Sequence, residues 1–258
     1  MLDFTLLAYK KYIESILQYY PNILTFKEFL ELEIKPESFC LIRHDVDRKP
    51  NRALRMAEIE KSYGIKSTYY FRVNSSAFNE NIIKSIFSMG HEIGYHYENL
   101  SYTNGDYKKA LYDFEKNLDK FRNIVPVYTV SMHGRPLSKF DNRDLWNHYG
   151  VSVLCDKYHL LGEIYLSIDY SNIAYINDTG RNWNTNSSNL RDKTNSEINI
   201  RIDNNKELMQ NIIKQKFPQI VFQIHPERWT NGFLEYCVQF LRDYSSNFLK
   251  YLLKYLRN

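Results

Sequence analysis

Nowhere do the 258 residues sustain the roughly 18 uninterrupted apolar positions that a membrane-spanning helix needs. The opening stretch, MLDFTLLAYKKYIESILQYY, carries Asp3, Lys10, Lys11 and Glu14 where a secretion signal keeps an apolar block, which predicts a chain neither exported nor membrane-spanning. Cysteine is sparse. Cys40, Cys155 and Cys237 lie far apart and form no CxxC pair, so neither a disulfide framework nor a thiolate metal site is expected, and a reducing cytoplasm suits the chain best. A charge excess is also missing: 34 Lys and Arg against 30 Asp and Glu leave a net charge of +4, without the basic stripe that grips nucleic acid. No internal repeat and no linker interrupts the chain.

What is present is an ordinary globular balance, 43% hydrophobic and 25% charged residues, in a length that suits a single α/β barrel. The unusual count is 22 tyrosines in a chain that is 16% aromatic. Aromatic faces line sugar-binding grooves and also fill cores, and core filling is the expectation for any one of them.

Two periodicities alternate along the chain. Residues 4–20 read as a helix, and Thr25-Phe26-Lys27-Glu28 has the capping-box spacing that starts a second. Strand composition at 39–44, 67–73, 92–95, 127–132, 151–155, 164–169, 173–177 and 219–224 alternates with helical spacing at 50–64, 81–89, 107–121, 142–149, 206–217 and 232–256. Residues 178–205, rich in Asn, Ser, Thr and Asp, read as a long loop. Strands separated by helices pair in parallel through right-handed crossovers, giving an α/β sheet or barrel.

The polar clusters fall just after these strands: His44-Asp45-Val46-Asp47, His96-Tyr97-Glu98, His133-Gly134-Arg135 and His225-Pro226-Glu227. A parallel barrel brings such ends to one face, where these folds keep their active sites. Asp45 and Asp47, two apart at a strand end, leave on the same side, and two carboxylates there imply a cation or a shared proton; capping the next helix would need only one. His96 alone reads equally as an imidazole ligand or a core histidine bonded to backbone. His91, His148 and His159 suggest no function.

The phrases LIRHDVD, STYYFR, GHEIGYH, HGRP and QIHPERW resemble, in that order, the polysaccharide deacetylases of the NodB-homology class, carbohydrate esterase family 4, over residues 39–229. The wording HDVD, GYHYE, MHG, DTGR and HPERW looks like a subgroup encoded with bacterial surface-polysaccharide genes. The resemblance implies a distorted parallel (β/α) barrel that removes acetyl groups from sugars with a divalent metal. It maps a general-base Asp onto Asp45, metal ligands onto Asp47 and His96, and a general-acid histidine onto His225. The family's second metal-binding histidine corresponds to Leu100, leaving Glu98 and His133 as candidate replacements, His133 favoured because strand ends are better fixed than loops. The family's arginine that clamps the base has a loose counterpart in Arg135, and Arg43, two residues before Asp45 on the same strand face, is the alternative. Asp178, Arg181 and Trp183 correspond in type to a loop where the family tunes the catalytic histidine and lines the groove; a plain turn with Gly180 at positive φ explains that stretch equally well. Trp229 either lines a sugar subsite or packs.

The expectation is one domain over residues 1–258, with terminal helices 1–35 and 231–258 packed on the core. The resemblance implies removal of an N-acetyl or other N-acyl group from an acetamido sugar, whether polymer-, lipid- or nucleotide-linked, with zinc the default ion for an Asp/His set. A carbohydrate-binding pseudoenzyme, motivated by Leu100, and a hydrolase of a non-sugar linear amide are the alternatives.

Overall fold

The structure, a computed structural model, describes residues 2–135, 138–181, 183, 191–202 and 204–257, without the side chains of 246 and 248–257. In chain order the elements are α1 (Leu6–Tyr19), β1 (Ile23–Leu24), α2 (Phe26–Glu31), β2 (Phe39–Val46), α3 (Pro50–Ser62), β3 (Thr68–Phe71), α4 (Glu80–Ser88), β4 (Glu92–Tyr97), α5 (Asn99–Tyr102), α6 (Tyr107–Arg122), β5 (Thr129–Met132), α7 (Asp144–Tyr149), α8 (Val151–Tyr158), β6 (Gly162–Glu163), β7 (Ala174–Asn177), α9 (Asn205–Ile213), β8 (Gln219–Ile224) and α10 (Phe233–Arg257). The eight strands form one parallel sheet in the order β6-β5-β4-β3-β2-β8-β7, with the short β1 beside the start of β2.

Local chemistry starts the helices where the sequence predicts. The Thr25 hydroxyl accepts from the Glu28 amide at 3.1 Å while the Glu28 carboxylate accepts from the Thr25 amide at 2.9 Å, and Pro50 occupies the first turn of α3. β2 is buried along its whole length because both of its faces are covered. Cys40 and Ile42 join an apolar layer with Tyr9, Tyr12, Ile13 and Ile16 of α1 and Leu208 and Ile212 of α9. Phe39 and Leu41 face the other way and join the larger core, which includes Tyr70, Tyr95, Phe114 and Trp146.

The sheet curls into a partial barrel, and Arg43 in its lumen shows how tightly. From β2 its guanidinium donates to the Ser131 hydroxyl of β5 at 2.6 Å and to the Tyr175 hydroxyl of β7 at 3.1 Å. Gly94 of β4 permits this filling, since a Cβ there would lie 2.3 Å from the Tyr70 ring, which lies under the same guanidinium. On the outer face of β2, the buried Glu60 of α3 accepts from Tyr9 and Ser67, from Tyr69 at 2.7 Å, and faces His44 Nε2 at 2.6 Å.

Two expected strands are not strands. Residues 151–155 open α8: Gly150 at φ +91° ends α7 and redirects the chain, and Leu154 and Tyr158, four apart, bury one helical face while Val153 stays exposed. Packing overrides the β-branched composition. The stretch 164–169 turns instead of extending, because the amides of Leu166 and Ser167 bond the Glu163 carbonyl and the Glu163 carboxylate accepts from Tyr165 and Leu166. β1 and α5 had no counterpart in the sequence reading, each being too short to show a period. Among the described residues no helix is long and apolar enough to cross a membrane.

Candidate active site

Parallel pairing places the ends of β2, β4, β5 and β8 on one face of the sheet. β2 runs two residues further than its apolar run suggests, so Asp45 is still held in the strand opposite Tyr70, while Asp47 lies just beyond it. Asp45 is buried, and Arg43 grips it through Nε at 2.6 Å and Nη2 at 2.8 Å, with the Gln223 side-chain amide donating at 2.6 Å from β8. Burial alone would raise its pKa, but the Arg43 charge and hydrogen bonds, together with the nearby His96 and His225, hold the carboxyl below its ordinary value, so Asp45 is an anion at neutral pH.

Asp47, His96 and His133 each aim one donor atom at a common point, and the three atoms lie within 4.8 Å of one another. His96 Nε2 is 3.7 Å from Asp47 Oδ1, and His133 Nε2 is 3.5 Å from Asp47 Oδ2. Both rings are oriented through their far nitrogens: His96 Nδ1 bonds the Ser131 carbonyl and His133 Nδ1 the Glu98 carboxylate, each at 3.0 Å. Such bonds place a proton on Nδ1 and turn Nε2 inward. Burial opposes a charge on His133, but Asp47 and Glu98 together lift its pKa to about 9, so a cation bound there displaces the Nε2 proton. Burial brings His96 down to about 4, so it is a neutral donor. The set fits a divalent cation: two imidazoles and a carboxylate are zinc-type donors, and Asp47 Oδ1 is buried without a hydrogen-bond partner. Glu98 is not in the set. It is shared between His133 and Arg72, whose Nη2 lies 2.6 Å from Oε1. Leu100, where the family resemblance led one to expect a histidine, is fully buried in the apolar core.

Beside this group lies an imidazole–carboxylate pair. His225 Nδ1 is 2.6 Å from Asp178 Oδ1, and the other Asp178 oxygen accepts from the His225 amide at 3.0 Å and from the Trp229 indole at 2.9 Å. Burial opposes a charge on His225, but the Asp178 charge and hydrogen bond, with the Glu227 charge, together lift its pKa to about 9. The pair is an imidazolium at neutral pH, with Nε2–H as its remaining donor.

Other residues singled out from the sequence lie elsewhere. Trp229 and Trp183 are not groove-lining: both are buried against Phe4 and Tyr12, Trp183 stacked on Phe4 at 5.2 Å, because the area gained by sealing α1 onto the sheet takes both rings. Arg181 pairs with Asp243 of α10 at 3.4 Å and lies over the Phe4 and Tyr236 rings, while Gly180 has the expected positive φ of 75°. Arg135 does not clamp Asp45; Arg43 does. His91 is structural, accepting from the Ser67 amide at 3.2 Å and lying 3.1 Å from the Ala57 carbonyl.

Gln223, Ser131, Tyr175 and Glu163 complete the lumen around Arg43 and were not anticipated. Gln223 carried a signal, standing two before His225 in a buried strand where alternation directs it inward. Glu163, pushed by burial up to about 7, accepts from the Met132 amide at 3.0 Å and secures the end of β5. Asp192 also reaches the site, lying where a Cβ on Gly134 would be 2.7 Å from its Oδ1.

No protein-family profile matches the chain, and no curated protein does. Among solved structures the chain is similar to the CE4 domain of a multidomain xylanase from the hindgut metagenome of Trinervitermes trinervoides, at 15% identity and TM-score 0.40 over 82% of this chain and 84% of that one. It is also similar to a CE4-family pseudoenzyme from Bacillus anthracis, at 15% identity and TM-score 0.43 over 80% of this chain and 60% of that one. A mutant of that pseudoenzyme with restored enzymatic activity gives 15% and 0.42 over 80% and 62%. The likeness is confined to fold.

Proposed function

We propose that the protein is a metal-dependent hydrolase that removes an N-acyl group, acetyl being the simplest, from an acylamido sugar. The observation that carries this reading is the meeting of three chemistries at one end of the barrel: the Asp47/His96/His133 group, the Arg43-clamped Asp45, and the Asp178–His225 pair. Amide hydrolysis needs all three, because water is a weak nucleophile and an amine is a poor leaving group. A divalent ion held by Asp47, His96 and His133 would supply Lewis acidity toward the amide carbonyl and toward water.

Asp45 takes the proton as the water oxygen bonds to the carbonyl carbon. Its position suits a base: Arg43 and Gln223 keep it ionised and fixed, and Oδ2 lies 3.5 Å from His96 Nε2, at the edge of the ligand group. His225 gives the Nε2 proton to the nitrogen as the C–N bond breaks, leaving a carboxylic acid and a free amine. Asp178 holds the ring in register and keeps it charged until then. Supply of the second histidine, His133, from the end of β5 answers the Leu100 departure, since the donor count stays at three.

The test is metal analysis of purified protein beside acetate release from a panel of acetamido sugars. Metal binding with acetate release upholds the reading. Full metal occupancy without release from any acylated sugar would sink it in favour of sugar binding alone.

A further inference from the structure

The proposed chemistry leaves Arg135 unused. It stands two residues after His133, at the end of β5, with its backbone at φ +29°, in the left-handed region that non-glycine residues enter at a cost. Its guanidinium lies over the Tyr102 ring, 4.2 Å from the centroid, and its Nη1 is buried without a hydrogen-bond partner. Tyr102 ends α5 and is 49% exposed; after burial, the neighbouring Glu98 carboxylate is the main influence raising its pKa. Arg135 therefore sits one ring away from the carboxylate that orients His133. That carboxylate is already shared between His133 and Arg72, so no acidic partner among the described contacts is left for Arg135. Stacking on an aromatic face fixes a guanidinium plane without using its N–H donors, which stay available for hydrogen bonds in that plane.

We propose that Arg135, carried on Tyr102, binds an anionic substituent of the substrate, a carboxylate or a phosphoryl group, so that the acylamido sugar is a charged one. The inference rests on the hydrolase reading and narrows its substrate class. Planar N–H donors match both kinds of oxyanion in a two-point contact.

The experiment measures binding, so it does not depend on turnover. Zinc-loaded Asp45→Asn protein and its Arg135→Ala and Arg135→Lys derivatives are titrated calorimetrically with N-acetylglucosamine, N-acetylglucosamine 1-phosphate and N-acetylmuramic acid. At least one anionic probe is expected to bind roughly 10- to 100-fold more tightly than the neutral sugar, with the preference shrinking at high salt. Arg135→Ala should bring the ratio near one, and Arg135→Lys should retain part of it, since a point charge remains without the fork. The stronger anionic probe distinguishes carboxylate from phosphoryl. Equal binding of charged and neutral probes, no binding of either anionic probe, or a preference that survives Arg135→Ala would each overturn the proposal. Failure of the hydrolase reading shows separately, as absence of acetate release by metal-loaded wild type.

Discussion

Arg43 grips both oxygens of Asp45 from two positions earlier on the same strand, at 2.6 and 2.8 Å, with both side chains buried. One strand thus carries both the carboxylate and the cation that keeps it ionised, and the alternation of side chains along β2 points the two into one lumen.

Replacing Asp45 by Asn should leave metal content nearly unchanged and abolish amide hydrolysis. An amide cannot accept the proton, and general-base assistance contributes about 100- to 10,000-fold, so kcat should fall by that factor or more while substrate binding changes little. Metal analysis and kinetics on the same preparation check this; loss of metal would make Asp45 a ligand.

For the ligand set, His133→Ala should remove stable metal retention, since it takes away one of three protein donors. Glu98→Ala should weaken retention by about 10- to 100-fold, the effect typical of losing a carboxylate that orients a ligating imidazole. Titration with zinc separates the two, and equal losses would place Glu98 among the ligands.

The pH profile should carry a descending limb near 9. His225 is lifted to about 9 by Asp178 against burial, so the acid form is populated below that pH and lost as pH rises through it. Asp178→Asn removes the main influence that raises the group against burial and should move the limb down, visible in the pH dependence of kcat. An unmoved limb would assign it to another group.

Glu60→Ala should destabilise the protein by about 3 kcal/mol or more, because Tyr9, Ser67 and Tyr69 lose a shared acceptor in a fully buried site. Thermal melting of the variant is the measurement. A melting temperature within a degree or two of wild type would mean that these hydroxyls find other partners.

Much of this site was legible in the chain because its residues break a rule. Asp45, His96 and His225 are polar groups at the ends of runs otherwise fit for burial, and strand ends on one face bring such residues together whatever lies between them. Arg43 was legible for the same reason, by alternation. The partners that complete the lumen were not, since Ser131 and Tyr175 meet Arg43 only through the curl of the sheet, which no local pattern encodes. Trp183 and Trp229 were left open between groove and core, since aromatic composition cannot tell one from the other, and residues 151–155 read as a strand yet are helix because one buried face settled a conformation that composition left open. Arg135 was legible as a residue of interest but not in its role, which depends on Arg43 already holding the base.

The three candidate donors of the cation come from the ends of β2, β4 and β5, each separated from the next by at least one helix in the chain. No short stretch of the unfolded polypeptide can preform that group, so loop closure must bring distant segments together before the ion gains its full grip. A cation of this kind acts as a latch on a finished structure: it should slow the rate of unfolding and leave the refolding rate nearly as it is without metal.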